Sequence, residues 1–430
     1  MKPGRATGQE TVRILRHCEG PPPGVHTRLP VGQPAVSTRT QLIIISLLRT
    51  ILNTMHRMVY PFLSVFARGL GVDVMAISFA LTARNMVGIF GPLLAPISDV
   101  RGRRLGMLIG VGLFTLGTAL VALWPGVITF AAALGFGILS KSLFDPAVHA
   151  YFGDRVSYER RGTAVAVTEM AWSMAFIAGV PAMGLLIARF GWQAPFPVLA
   201  ILGVGMLAVI WRVIPQDDCA RKSAPALSHL HTVLSSIPAV AGISIALWAS
   251  AANEVVNLVF GLWLEDSFGL QIAALAGASA VIGLAELGGE GLVATVTDRI
   301  GKPRAVAAGL VANMLAAALL PWIGRTETGA LTGLFLFYIS FEFLVVSQLP
   351  MMTEVVPAAR ATTIALNAIG FSIGRSAGAL LSTFIYARIG FGAVAVMAVL
   401  FNVLALLGLA EMQHKLNLMP RLLAWLRRAG

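Results

Sequence analysis

Twelve apolar runs of about 20 residues or more, separated by short polar breaks, constrain this chain more than any other feature. Each is long enough to cross a hydrocarbon core of ~30 Å as a helix. Lipid offers the backbone no hydrogen-bond partners, so open strands are excluded and the runs must be helices. They fall at 41–67, 74–98, 104–124, 127–153, 162–188 and 194–214, then at 237–264, 271–297, 304–323, 329–353, 361–387 and 391–411. The expected fold is an all-α membrane protein. Composition agrees: only 12% of residues are charged, where soluble chains carry roughly 25%, and mean hydropathy is +0.80.

The runs form two sets of six, and the sets are alike. Asp99-Val100-Arg101-Gly102-Arg103-Arg104 returns 199 residues later as Asp298-Arg299-Ile300-Gly301-Lys302-Pro303-Arg304. The same spacing relates Arg161 to Arg360, Gly179 to Gly378, and Ala188-Arg189-Phe190-Gly191-Trp192 to Ala387-Arg388-Ile389-Gly390-Phe391. Two tandem halves follow, 41–214 and 237–411, with a repeat unit far too long for a solenoid. A polar linker, 215–236, joins them. Residues 1–40 contain Pro21-Pro22-Pro23, scattered arginines and no apolar core, and read as a disordered cytoplasmic arm, not a secretory signal. Residues 412–430 read either as an amphipathic, basic cytoplasmic tail along the membrane surface or as a frayed terminus.

The 32 Lys and Arg residues set the orientation. If the N-terminus is cytoplasmic, 23 of them fall in inside segments, 4 in outside breaks and 5 within spans. This bias predicts cytoplasmic termini. It also accounts for the net charge of +12 without a polyanion, so no nucleic-acid partner is expected. Cys18 and Cys219 both fall on the cytoplasmic side, where no disulfide forms, and they make no metal site. No phosphate-binding G-x-x-x-x-G-K-[ST] loop occurs, so no ATP motor is expected; nor does H-E-x-x-H or G-x-S-x-G. The chain therefore does not read as an enzyme.

Each repeated cassette places an acid at the end of a span, then a turn glycine, then clustered bases. An acid at a membrane boundary is tolerated beside cations, and glycine reverses the chain in few residues. Ala95 through Arg104 resembles the loop motif of the major facilitator superfamily between its second and third helices. Ala294 through Arg304 resembles the weaker version between helices eight and nine. Alanine replaces the leading glycine in both copies, Val100 the base after the first acid, and Pro303 the last base of the second copy. The resemblance implies twelve helices in two six-helix pseudo-symmetric bundles. It implies secondary transport of a small solute by alternating access, and a monomer in the bacterial inner membrane. It also implies a gate. Asp99 would contact the start of the eleventh helix near Thr362, Asp154 would pair with Arg101 or Arg103, and Glu354 with Lys302 or Arg304. Gly102, Arg104, Arg299 and Gly301 complete the motif loops.

Five bases (Arg49, Arg57, Arg84, Lys141, Arg375) and six acids (Asp145, Glu169, Glu254, Glu286, Glu290, Glu342) lie within spans. Each would cost at least ~2.5 kcal/mol facing lipid at mid-depth, so pairing around a wet cavity is expected. In the superfamily, helices one, four, seven and ten line the central cavity. Here they carry Arg57, the set Lys141, Asp145 and His149, Glu254 between Asn253 and Asn257, and Glu342. Lys141, Asp145 and His149 recur every four residues and share a helix face. They read either as an intrahelical pair with a satisfied histidine or as a proton or substrate relay. Glu342, between Phe341 and Phe343, is a candidate proton carrier unless Arg375 holds it ionised; Glu254 is a second candidate. Glu169, Glu286 and Glu290 read as interface or gate residues, and His56 as a packing histidine. Gly370, Gly374 and Gly378 form a small-residue ridge for close helix approach. Pro61, Pro146, Pro181 and Pro350 are expected to bend their helices. The Gly179–Gly184 segment resembles, faintly, the fifth-helix motif of antiporter members.

Within the superfamily the chain resembles bacterial efflux permeases, which implies efflux of a drug-like, sugar or metabolite solute. It needs no cofactor beyond a transmembrane ion gradient, taken to be protons. Uptake of an organic anion on Arg57, Arg84, Lys141 and Arg375 is the alternative within transport, and a non-transporting membrane sensor the alternative outside it.

Overall fold

With no water at depth, a backbone can bond only to itself, and the described chain is helical almost throughout. The computed structural model describes residues 36–94, 102–215 and 229–429, and among these there is no strand. Span one comprises Thr38–Arg57 and Leu63–Leu70, and span two Val74–Gly88. Spans three to six are Arg103–Leu123, Val127–Arg155, Ala164–Phe190 and Pro195–Val213. After a short helix at Leu230–Leu234 come spans seven to eleven: Ile237–Phe268, Ile272–Thr297, Lys302–Ile323, Glu327–Val355 and Pro357–Ile389. Span twelve is the helix Phe391–Ala429.

Ten of these, spans three to twelve, are long and apolar enough to cross a membrane unaided. In the first run the bend expected at Pro61 is a full break, and the run is two helices. It breaks at residues 58–62, where Pro61 lacks an amide donor. Leu63–Leu70 and Val74–Gly88 then meet at 111°, making the reversal between spans one and two. The far end of the second run, from residue 95, lies outside the described residues, as do the linker residues 216–228 and most of the N-terminal arm. The last helix continues unbroken past residue 411, so the expected tail boundary is not a helix end. Pro146 and Pro350 sit inside continuous helices.

The duplication is visible in the turns. The positive-φ glycines among the described residues pair across the halves: Gly102 with Gly301 and Gly191 with Gly390 at the 199-residue spacing, and Gly71 with Gly269 one residue short of it. A side chain would be strained at such φ, so each pair marks the same reversal built twice.

Packing between spans follows the small residues. Gly370, Gly374 and Gly378 bring span eleven onto Ile243, Leu247 and Ala251 of span seven. Across the halves, Gly283 of span eight meets the Ser173 carbonyl of span five, and Gly184 of span five meets Ala276. Both of these spans carry a π turn, at Ala175–Gly179 and Val293–Thr297. Such a turn shifts the register of the faces on either side of it.

Candidate functional site: a charged cavity between the halves

A cavity of about 480 Å³ lies between the halves, lined from spans one, two, four, five, seven, eight, ten and eleven. Its lining runs from Tyr60, Asn257 and Tyr338 to His149, Glu169, Leu349 and Ala368. His149 and Leu349 lie six residues before the ends of their helices, or ~9 Å at 1.5 Å per residue. Those ends carry the basic loops. The side chains of His149 and Glu169 are 41% exposed, while Glu254 is fully buried. The cavity therefore opens at the basic end.

The other end is sealed by contacts between halves. Arg68 Nη1 is 2.7 Å from Glu265 Oε1, and the Ser64 hydroxyl donates to the same carboxylate. Gly261 lies directly on the Pro61 backbone. Within the first half, the wholly buried Phe62 packs on Gly184, which also meets Ala276 of the second half.

One ion-pair network belongs to the first half. Lys141 Nζ is 2.6 Å from Asp145 Oδ2 and donates to Asn53 Oδ1 at 2.8 Å. Arg49 bridges spans four and five, with Nε 2.9 Å from Asp145 and Nη1 2.8 Å from Glu169. His149 Nε2 meets Glu169 Oε1 at 2.9 Å. The intrahelical pair among Lys141, Asp145 and His149 is thus present, but the histidine turns away to another helix. Arg49 joins what the helix face alone left separate.

A second pair crosses the halves. Arg57 donates from both terminal nitrogens to Glu286, each at 2.6 Å, with both side chains at or below 4% exposure. Nη1 also donates to the Trp172 carbonyl at 3.0 Å. The guanidinium carbon lies 3.4 Å from the Phe176 ring centroid and 4.3 Å from that of Trp172. Arg57 is therefore engaged, not an open anion anchor.

Behind the cavity wall, Glu254 Oε1 accepts from Tyr60 Oη at 3.0 Å and Asn85 Nδ2 at 3.5 Å. Arg84 supports that tyrosine, its Nη2 donating to Tyr60 Oη at 2.6 Å. Glu254 Oε2 has no partner. Span seven thus offers a buried carboxyl to groups of the opposite half. Nearby, Tyr338 Oη donates to Asn257 Oδ1 at 2.7 Å. Glu342 and Arg375 both line the cavity but do not pair with each other, so of the two readings of Glu342 the ion pair with Arg375 is not found among the described residues.

At the basic end, Arg103 Nε lies 3.7 Å from Asp154 Oδ2, and Lys302 pairs with Glu354. Arg104 donates to the Trp211 carbonyl and sits 4.3 Å over its ring. Arg299 and Arg304 are exposed. Asp99 and Arg101 lie outside the described residues, as does the side chain of Asp298, so the proposed contact of Asp99 near Thr362 has no geometry here.

Sequence reasoning passed over Trp172, Tyr60, Asn85, Tyr338 and Ser372. An aromatic or small polar residue in an apolar span looks the same whether it faces a cavity or a neighbouring helix. Only the seat of Trp172 among Arg57, Lys141 and Arg375, at 4.3, 5.1 and 5.8 Å, distinguishes it.

A charge-lined cavity between two similar sets of membrane-spanning helices is the architecture of a membrane transporter. Residues 43–356 match the family model of the Major Facilitator Superfamily, and the chain belongs to that family. It is 24% identical over 308 residues to the uncharacterized MFS-type transporter YbcL of Bacillus subtilis (strain 168), covering 70% of this chain and 77% of that one. It is 25% identical over 382 residues to a probable sugar efflux transporter of Pasteurella multocida (strain Pm70), covering 85% and 90%. Among solved structures, a peptide transporter crystallised with sulfate superposes with a TM-score of 0.71 at 14% identity, covering 88% of this chain and 97% of that one. That likeness is one of fold. The family and its named relatives point to a transporter rather than an enzyme.

Proposed function

We propose that this chain is a secondary active transporter working by alternating access, caught here open to the cytoplasm, and that it exports a small solute against proton entry. The observation that carries this reading is the one-sided cavity. It is open at the basic end and closed at the other end by contacts made between the halves. Rocking the halves about that seam would expose the same side chains to the opposite face. The Lys and Arg bias supports a cytoplasmic basic end in the inner membrane. Labelling of cysteines placed at 102 and 301 with an impermeant reagent should proceed from the cytoplasmic face only. Labelling of the two positions from opposite faces would overturn the topology. Export is supported by the sugar efflux relative.

Glu254 is the proton site in this reading. It is buried, touched by neutral donors from the other half, and has one oxygen unbonded. Neutralising it changes what the seam must desolvate when the halves meet. A membrane potential of 100 mV supplies ~2.3 kcal/mol per charge, enough to drive roughly fiftyfold accumulation. In proteoliposomes with an imposed pH gradient, a solute screen should find a gradient-driven substrate. Glu254→Gln should lower that driven flux by about tenfold or more while solute exchange persists. Undiminished pH-driven flux in the variant would remove Glu254 from the coupling path.

A further inference from the structure

Four bases and four acids line the cavity: Arg49, Arg57, Lys141 and Arg375, with Asp145, Glu169, Glu286 and Glu342. Three of each are used up in the two networks described above. One of each is left. Among the described residues, neither Glu342 nor Arg375 makes an ion pair or a side-chain hydrogen bond. They come from different helices and face different neighbours. Glu342, on span ten, packs its Cβ against Gly289 of span eight. Arg375, on span eleven, has its guanidinium carbon 5.8 Å from the Trp172 ring centroid.

Ionisable side chains inside a membrane protein that line a cavity without a protein partner mark a substrate or ion path. One acid and one base, both on the cavity lining and neither engaged by the protein, favour a guest that answers both. A further donor points to such a guest. Asn253 lines the cavity, is 4% exposed, and its Nδ2 has no partner. It sits on span seven, which packs against span eleven through Gly374. A neutral sugar would leave both charges unanswered. A monoanion would leave Glu342 bare, and a monocation would leave Arg375 bare.

We propose that the solute is a zwitterion of amino-acid or short-peptide size. Its anionic group is taken by Arg375 with Asn253, and its cationic group by Glu342. The word solute rests on the transport reading; the binding site itself does not.

The test uses the purified full chain and measures ligand-induced thermal stabilisation. The panel is the protein amino acids and a set of dipeptides, each beside its deaminated acid and its decarboxylated amine. At least one zwitterion should bind about tenfold or more tightly than both of its own monopolar relatives. Arg375→Gln should remove the preference over the amine, and Glu342→Gln the preference over the acid. Arg375→Lys and Glu342→Asp should restore part of each preference, which a purely structural role would not produce. Tightest binding of acids or of amines, or no stabilisation across the panel, overturns the proposal. Zwitterion-selective binding without flux in proteoliposomes would leave this site standing and sink the transport reading. Gradient-driven flux of sugars or cations without zwitterion preference would do the reverse.

Discussion

Glu286→Ala is expected to lower the stability of the protein by about 3–5 kcal/mol and to abolish transport. The reason is what it leaves behind. Arg57 has 3% of its side chain exposed and gives both terminal nitrogens to Glu286. Without that carboxylate the guanidinium retains one carbonyl and two aromatic faces. Cation–π attraction in a dry site is worth about 2 kcal/mol and does not replace a bidentate ion pair. Removing both charges is a different experiment. In the double variant Arg57→Met, Glu286→Leu, stability should return to within about 1–2 kcal/mol of the parent, because apolar pairs of similar volume often substitute for buried ion pairs. Transport should not return. The pair joins span one to span eight, and an apolar plug cannot be exchanged for water when the halves part. Thermal unfolding in detergent and flux in liposomes check the two limbs separately. A single variant as stable as the parent would show that this pair does not hold the halves together.

Gly261→Val is expected to reduce transport by about tenfold or more while lowering stability by no more than about 1–3 kcal/mol, the usual range for overpacking. A Cβ at this position would fall on the carbonyl, Cα and carbonyl carbon of Pro61. These are backbone atoms and cannot rotate aside. The contact lies between the halves at the closed end, so the clash is relieved by opening that seam, not by unfolding either half. The Ser64 and Arg68 contacts to Glu265 should separate with it. The consequence is a population shift toward the conformation open at that end. A cysteine in place of Ser64, with Cys18 and Cys219 replaced, should become reactive to an impermeant maleimide added from that side. Normal flux together with an unreactive cysteine would show that the seam tolerates the extra carbon.

Much of this architecture was legible without coordinates because lipid allows the backbone so few solutions. A run of sufficient apolar length has to be a helix, and a cassette repeated at 199 residues has to be a duplicated structure. The family follows from the loop residues around Asp99 and Asp298. Span one shows the limit. Pro61 marked a bend there, but the apolar run did not show that the helix stops outright at residues 58–62. The site was less legible. Lys141 and Asp145 could be paired from their spacing alone, since i and i+4 meet on any helix. Arg49 to Glu169, Arg57 to Glu286 and Tyr60 to Glu254 could not, because each joins residues more than a hundred positions apart.

The amino-acid order alone decided how many times the chain crosses the membrane, that it does so twice over in matching sets, and which end of the bundle carries positive charge. Those properties follow from local hydropathy and from charge counted along the chain, and no neighbour can change them. Tertiary structure alone decided which buried charges neutralise one another and which two, Glu342 and Arg375, are left facing the cavity. Coulomb energy depends on separation in space, and in a helical bundle that separation is set by packing between spans far apart in sequence.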